Sequence, residues 1–435
     1  MKDIKITRNP FLLFAPFLLL YIVVIIVFRF EGMVGDESRY LIYSQYMING
    51  FIPKSEINFD TLANGPGYSI LLLPLVALHV SILWITLMNA LFYYFSIILL
   101  YKVLIQFGSF RMAIFTCLFW ACYLNIYENL IYALPETLTI FLVCLLIFCL
   151  VNVFKNINPR KINWYIFLSG FTFGFLSLTK PIFGYVFLFM IILIGILWIA
   201  NTKFTNYKRA FIILLVALAI TSPYLIYTYK ATNKIFYWST IGGNNLYWMT
   251  TPNQSEYGDW FPDINTDSAT VTKNPEYDYF EKHIKLNHSK DFEQINKYKT
   301  GTKRDEAYKI IAINNIKAYP IKFIKNCVSN MGRILFNFPY SYRQQHPETL
   351  LRLPFNGVIV ILSLFCIIPT FKNWRKINFA VRFLLLIAFL YLGGSLLGSA
   401  ETRMFTMIVP ILLIWIAVIL QKSIRINFSW PYELH

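Results

Sequence analysis

The sequence predicts an all-α polytopic membrane protein of about ten transmembrane helices, with short juxtamembrane helices and one long polar loop on the same side. Three observations predict it. Of 435 residues, 57% are hydrophobic and only 14% charged, against about 25% charged in ordinary soluble chains, and the mean hydropathy is +0.54. Apolar runs of spanning length recur along the chain. Basic residues fall in alternate connectors between those runs.

The first run, 11–30, is about as long as a helix needs to cross a hydrocarbon core. It exceeds a signal-peptide core and no small-residue cleavage site follows, so it reads as a retained span. Runs at 80–101, 112–127, 134–154, 164–179, 182–200, 210–229, 354–371, 380–399 and 404–421 complete ten candidates. The stretch PGYSILLLPLVAL, 66–78, is too short and too marked by Pro and Gly to span, and reads as juxtamembrane or re-entrant.

The positive-inside rule tests this count. Lys2, Lys5 and Arg8 precede the first run, and Lys102 and Arg111 follow the second. Lys155, Arg160 and Lys161 follow the fourth, Lys203, Lys208 and Arg209 the sixth, Lys372, Arg375 and Lys376 the eighth, and Lys422 and Arg425 the tenth. All fall on one side, which puts both termini in the cytoplasm; counting 66–78 as a span would invert every later connector. The expected organisation is a membrane module over 1–229 whose first exofacial loop is 31–79, a loop or small domain over 230–353, and C-terminal spans over 354–435.

The formal charge of +17 is spread through these connectors and forms no single stripe, which argues against nucleic acid as a partner. Cys117, Cys122, Cys144, Cys149 and Cys366 lie in apolar segments and Cys327 stands alone in the polar one, so no disulfide framework is expected. His79, His283, His288 and His346 show no metal-type spacing.

The first span is followed by GDESRYLIYSQYMINGF, 35–51. Asp36 suits a helix N-cap and Glu37 the positive end of a helix dipole. The helix they begin carries Tyr40, Tyr43 and Met47 on one face, so it should lie against the membrane surface. Two adjacent carboxylates then sit where desolvation raises a pKa and makes a general base.

This stretch resembles the first exofacial loop of GT-C glycosyltransferases, in particular the branch of protein O-mannosyltransferases and the lipid A aminoarabinose transferase. Members of that branch commonly read Asp-Glu-x-Arg-Tyr where this chain has Asp36, Glu37, Ser38, Arg39 and Tyr40. The likeness continues more loosely through NGPGYS (64–69), LPETL (134–138), LTKP (178–181) and ETRMF (401–405), covering most of the membrane part but not the long loop. It implies a GT-C-like fold and a polyprenyl-phosphate sugar donor, undecaprenyl phosphate if the chain is bacterial. Asp36 would be the base on the acceptor hydroxyl, Glu37 would support it or orient the acceptor, and the anomeric carbon would invert.

A cation must meet the charge that develops on the leaving phosphate. Lys180 is the first candidate, because it ends an apolar run before Pro181, away from the basic connectors; the alternative is a snorkelling interfacial lysine. Arg403 is the second, with Glu401 beside it as a supporting group or as half of a structural ion pair. Arg39, Tyr40, Glu128 and Glu136 complete the supporting or acceptor-binding set, although Glu136 after Pro135 also suits a helix start. Several relatives carry a Lys before the Pro of NGPGYS, whereas this chain has Asn64 and Gly65.

No cofactor is required by the pattern, and a divalent cation held by Asp36, Glu37 and a loop acid is left open. The aromatic patch Phe236 to Trp260 reads as an interfacial belt or as a sugar platform. The sugar would pass to an acceptor hydroxyl or phosphate carried by a lipid, a glycan or a protein. The Ile, Asn, Lys, Phe and Tyr bias points to a bacterial inner membrane with a periplasmic active side. The alternatives are a polysaccharide polymerase or ligase using a lipid-linked oligosaccharide, and a lipid-linked-sugar flippase or transporter, although no internal repeat is visible.

Overall fold

The computed structural model describes residues 9–30, 32–33, 35–50, 62–155, 159–202, 204–261, 275–298, 301–342 and 348–423. Lys2, Lys5, Arg8, Lys203, His346 and Arg425 lie outside these residues. Among the described residues every regular element is helical.

Asn9 opens α1 (Pro10–Phe28) by accepting the Phe11 N–H at 3.1 Å, with Pro10 at the first helical position. Two short helices follow, α2 (Glu37–Ile48) and α3 (Gly67–Ala77). The membrane part continues with α4 (Ile82–Phe107), α5 (Phe110–Ala121), α6 (Leu124–Leu130), α7 (Glu136–Lys155), α8 (Pro159–Thr179), α9 (Pro181–Ala200) and α10 (Thr205–Thr232). The long polar segment holds α11 (Gly242–Met249), α12 (Pro275–Ile295), α13 (Gly301–Ala318) and α14 (Pro320–Phe336). The chain then returns through α15 (Glu348–Lys372), α16 (Phe379–Leu397) and α17 (Thr402–Ser423). Nine described helices are long and apolar enough to cross a membrane, or ten if α5 and α6 make one broken span. The chain is a multi-pass membrane protein.

The break between α5 and α6 bends the run by 50° at Cys122 and Tyr123. Backbone carbonyls freed by a break in an apolar medium must find other donors. Here tyrosine phenols supply them. Tyr93 donates to Trp120 O, while Tyr21 and Tyr127 donate to Ala121 O at 2.8 and 3.1 Å.

Lateral hydrogen bonds show which helix ends share a side. At one end Lys155 Nζ donates to Gln106 O, and Arg209 Nη1 to Val153 O at 3.3 Å. At the other, Asn89 Nδ2 donates to Leu130 O and Tyr132 O at 3.1 and 2.7 Å. The innermost spans are α7 and α17, whose apolar windows are 78% and 83% buried; those of α1 and α15 are only 17% buried and look outward. The two enclosed spans begin at this second end with Glu136 and with Thr402 followed by Arg403.

The stretch 66–78 forms α3, an 11-residue helix that does not span. It packs under α2 through reciprocal bonds: Ser44 Oγ donates to Ser69 O, and Ser69 Oγ to Tyr40 O, both at 2.9 Å. Its approach to the α8–α9 break requires glycine. A Cβ on Gly65 would stand 2.1 Å from Leu178 O.

Helices α11 to α13 enclose a second apolar cluster containing Tyr247, Trp248, Phe261, Ile284, Phe292 and Tyr308. Trp238 turns back into the membrane core, edge-on to Phe187 at 6.0 Å and against Gly184. Trp238 and Trp248 therefore build core and not the belt or open platform expected from sequence, while Trp260 is half-buried and Phe236 and Tyr257 are exposed. His288, which no sequence pattern singled out, is buried between Glu256 (2.9 Å from Nε2) and the Tyr247 hydroxyl (2.6 Å from Nδ1).

Two measurements follow from these contacts. Gly65→Ala should lower stability by about 1–3 kcal/mol, the usual cost of overpacking against a backbone that cannot yield, read as a lower unfolding temperature in detergent. Burial by itself would raise the Glu256 carboxyl, but the hydrogen bond and charge of His288, with Thr251 and Asn287, outweigh it and hold the group down at about 2. Since the folded value lies below the ordinary 4.5, its contribution to stability is complete above 4.5 and is lost as pH falls through about 2. Acid titration of Trp fluorescence should show that loss, and Glu256→Gln should flatten it.

Candidate active site

Asp36 and Glu37 are neighbours in sequence, and successive helical residues point about 100° apart. Their surroundings accordingly differ. Glu37 is fully buried: its Oε1 stands 3.0 Å from Arg29 Nη1 and accepts the Ala133 N–H at 2.5 Å. Arg29 Nη1 also donates to Ile131 O at 2.6 Å, so the pair ties the first loop to the loop between α6 and α7. The expectation that Glu37 works beside Asp36 on an acceptor does not fit this placement. An enclosed carboxylate sharing a guanidinium and a backbone donor is an anchor.

Asp36 occupies the N-cap position of α2 but makes no capping hydrogen bond. Its side chain is 34% exposed, and Oδ1 lies 3.0 Å from Arg39 Nη1. Oδ2 has no partner among the described residues. The capping alternative thus loses its physical basis.

The other candidates meet around Glu136. This residue opens α7 with its carboxylate 1% exposed, Oε1 lying 2.8 Å from Lys180 Nζ and 3.6 Å from Arg403 Nη1. Its Oε2 has no hydrogen-bond partner among the described residues. Lys180 sits at the N-cap of α9, where Pro181 forces the break from α8. Arg403 stands in the first turn of α17 with Nε 3.0 Å from Glu401 Oε2; its Nη2 has no partner among the described residues. Asp36 and Tyr40 both lie within electrostatic reach of Arg403.

Tyr40 is buried edge-on to Tyr68, with ring centres 5.3 Å apart. Burial first, then the charges of Glu136 and Asp36, pushes its phenol well above the ordinary range, so the hydroxyl stays protonated. Tyr391, fully enclosed on α16 and stacked on Phe183 at 4.6 Å, feels the charges of both Glu136 and Arg403.

The structure thus gathers Asp36, Arg39, Tyr40, Glu136, Lys180, Glu401 and Arg403, and leaves two candidates out. Glu128 is exposed on α6 and pairs with Arg352 at 2.6 Å, bracing α6 against α15. Glu37 faces its own anchor. Sequence reasoning missed Arg29, although a cation after the first span, opposite the basic connectors, is the same signal that picked out Lys180. It also missed Asn330. That buried amide donates to Ser395 O, Leu396 O and Gly398 O at 3.0, 3.2 and 2.7 Å and accepts from Ala400 N at 3.1 Å, gripping the turn that carries Glu401 and Arg403. The signal was the spacing of Lys322, Asn326, Asn330 and Arg333 along α14.

Among the described residues no three His, Cys, Asp or Glu side chains are grouped to hold a metal. Glu37 Oε1 is bonded to Arg29 and to the Ala133 N–H, so its surroundings differ from those of Asp36.

The chain resembles the oligosaccharyltransferase of Archaeoglobus fulgidus in its apo form, with a TM-score of 0.51 at 12% identity over 93% of this chain and 50% of that one. The chain has a GT-C fold. Weaker likenesses are to the oligosaccharyltransferase AglB of the same organism in complex with an inhibitory peptide and a dolichol-phosphate (TM-score 0.47, 12% identity, 93% of this chain and 50% of that one) and to apo ArnT from Cupriavidus metallidurans (0.41, 11%, 94% and 77%). The chain spans about half the length of the oligosaccharyltransferase structures it matches. No family model matches the sequence, and no curated protein matches it. In this GT-C fold the cluster lies where the first loop, the α8–α9 break and the head of α17 meet.

Removing one partner of a buried ion pair strands the other charge. Arg29→Met should therefore lower stability by about 3–5 kcal/mol, whereas Asp36→Asn, at a part-exposed position, should stay within about 0.5 kcal/mol of the parent. Thermal unfolding of the purified variants in detergent checks both; equal losses would mean that the two carboxylates do not differ as described.

Proposed function

We propose that the chain is an integral membrane glycosyltransferase that moves a monosaccharide from a polyprenyl-phosphate donor to an acceptor on the exofacial side. The observation that carries this reading is that Asp36, part-exposed, lies within electrostatic reach of Arg403, with Asp36 Oδ2 and Arg403 Nη2 both unpartnered among the described residues. One is a base for a hydroxyl and the other a cation for a phosphate.

In the step that this geometry supports, Asp36 Oδ2 takes the proton of the acceptor hydroxyl as its oxygen attacks the anomeric carbon. The bond from that carbon to the phosphate oxygen breaks, and the electron pair leaves with the polyprenyl phosphate. Attack from the opposite face inverts the centre. Arg403 Nη2 meets the developing phosphate charge, and Glu401 holds its Nε in place. Lys180 adds positive field from its bond to Glu136, in a role less direct than the sequence suggested. Tyr40 offers a neutral hydroxyl and Arg39 orients Asp36. Glu37 and Glu128 serve the scaffold.

On this reading the membrane helices of 1–229 and 354–435 hold the donor, and 230–353 is the exofacial unit beside them. The donor lipid is undecaprenyl phosphate in a bacterial inner membrane with both termini cytoplasmic, and the acceptor is a lipid, a glycan or a protein.

Transfer from a panel of radiolabelled polyprenyl-phosphate sugars into membrane extract, in reconstituted vesicles, tests the reading. The parent should transfer one of them. Asp36→Asn should lose roughly 100-fold or more, as expected for a general base, and Arg403→Ala a loss of similar order, as expected for a charge-stabilising donor. Full activity without the Asp36 carboxylate would sink its assignment. Activity confined to oligosaccharide donors would identify a polymerase or ligase, and donor translocation without transfer a flippase.

A further inference from the structure

Helix α14 is built inside out. Its inward face is polar: Lys322, Asn326, Asn330 and Arg333 are buried, and each is bonded to backbone. Lys322 Nζ donates to Glu256 O at 2.6 Å, Asn326 Nδ2 to Met249 O at 3.0 Å and Arg333 Nη1 to Tyr257 O at 2.8 Å. Its outward face is apolar. Ile321, Ile324, Val328 and Met331 are 70%, 61%, 61% and 45% exposed, and their spacing places them along one stripe opposite the buried polar residues. A helix washed by water on its free side would show the reverse pattern.

Two placements say what lies against the stripe. Asn330 bonds to the carbonyls that end α16, a membrane span, so α14 sits at the level of the span ends. Asn356 Nδ2 of α15 donates to Leu335 O at 2.5 Å, so the last turn of α14 rests on α15. That span itself turns Leu350, Leu351, Val358, Ile361 and Leu364 outward, as a lipid-facing helix does. The stripe and this outward face thus belong to helices that touch at Leu335, and exposed Lys325 beside Ile321 is placed to reach lipid phosphate.

We infer that α14 is seated in the exofacial leaflet of the bilayer, with Ile321, Ile324, Val328 and Met331 among the acyl chains and the opposite face holding the turn that carries Arg403. The occupant is bilayer lipid. A helix that grips the Arg403 turn with one face and lipid with the other makes the position of that turn depend on the membrane boundary.

The test uses the full chain in nanodiscs of phosphatidylethanolamine and phosphatidylglycerol. A nitroxide is attached through p-acetylphenylalanine, which leaves the native cysteines untouched, at position 324, at 328 in a second variant, and at exposed Asn314 on α13 as the aqueous reference. Collision with oxygen, which concentrates in lipid, and with a nickel chelate, which stays in water, is read from spin relaxation. The inference expects oxygen to dominate at 324 and 328, with nickel accessibility several-fold below that at 314. Nickel access equal to that at 314 would put the stripe in water. Protection from both reagents would mean that protein covers it, a partner or a second copy. Either outcome overturns the inference, and the second label site keeps the test intact if one variant does not fold.

Discussion

The candidate site depends on one enclosed carboxylate. Glu136 stands in a nearly dry position at the head of the most central part of the bundle, and an ionised carboxylate there is tolerated only with compensating charge. Lys180 and Arg403 supply it from two other helices. The head of α7, the break between α8 and α9 and the first turn of α17 are therefore drawn to a common point. Two cations against one carboxylate leave one positive charge in excess, which Glu401 balances. The residues proposed for chemistry are thus held at the edge of an electrostatic arrangement whose centre is structural.

Around that point the fold meets its broken backbone with specific donors, as an apolar medium requires. Tyrosine phenols cover the carbonyls freed between α5 and α6. The end of α16 is treated differently. Its last carbonyls are met by Asn330, a side chain from the polar segment, so the turn bearing Glu401 and Arg403 is positioned from outside the membrane bundle. A helix that would otherwise be a peripheral part of the long loop becomes a determinant of site geometry.

The adjacent acids after the first span show how local identity and local role separate. Both residues are carboxylates at the start of one helix, yet rotation about the axis sends Glu37 to Arg29 and the Ala133 N–H while Asp36 stays at the rim with Arg39. A buried ion pair anchors, whereas a part-exposed carboxylate stays open to solvent.

Helical class, membrane spans and the non-spanning nature of 66–78 were legible in the sequence, because run length, apolar periodicity and the placement of Pro and Gly are local properties. The same reading marked Asp36, Glu37, Glu128, Glu136, Lys180 and Arg403, through charges that stand outside the basic connectors and through the resemblance to GT-C glycosyltransferases. Distances lay beyond it. Only the tertiary structure decided that Lys180 is bonded to Glu136, that Glu37 is enclosed, that His288 is buried against Glu256, and that Trp238 and Trp248 build core. The physical reason is that each of these depends on partners 8 to 44 residues away in sequence, or on which helix fills the space opposite. Linear pattern carries the side on which a residue emerges, and packing carries what it touches.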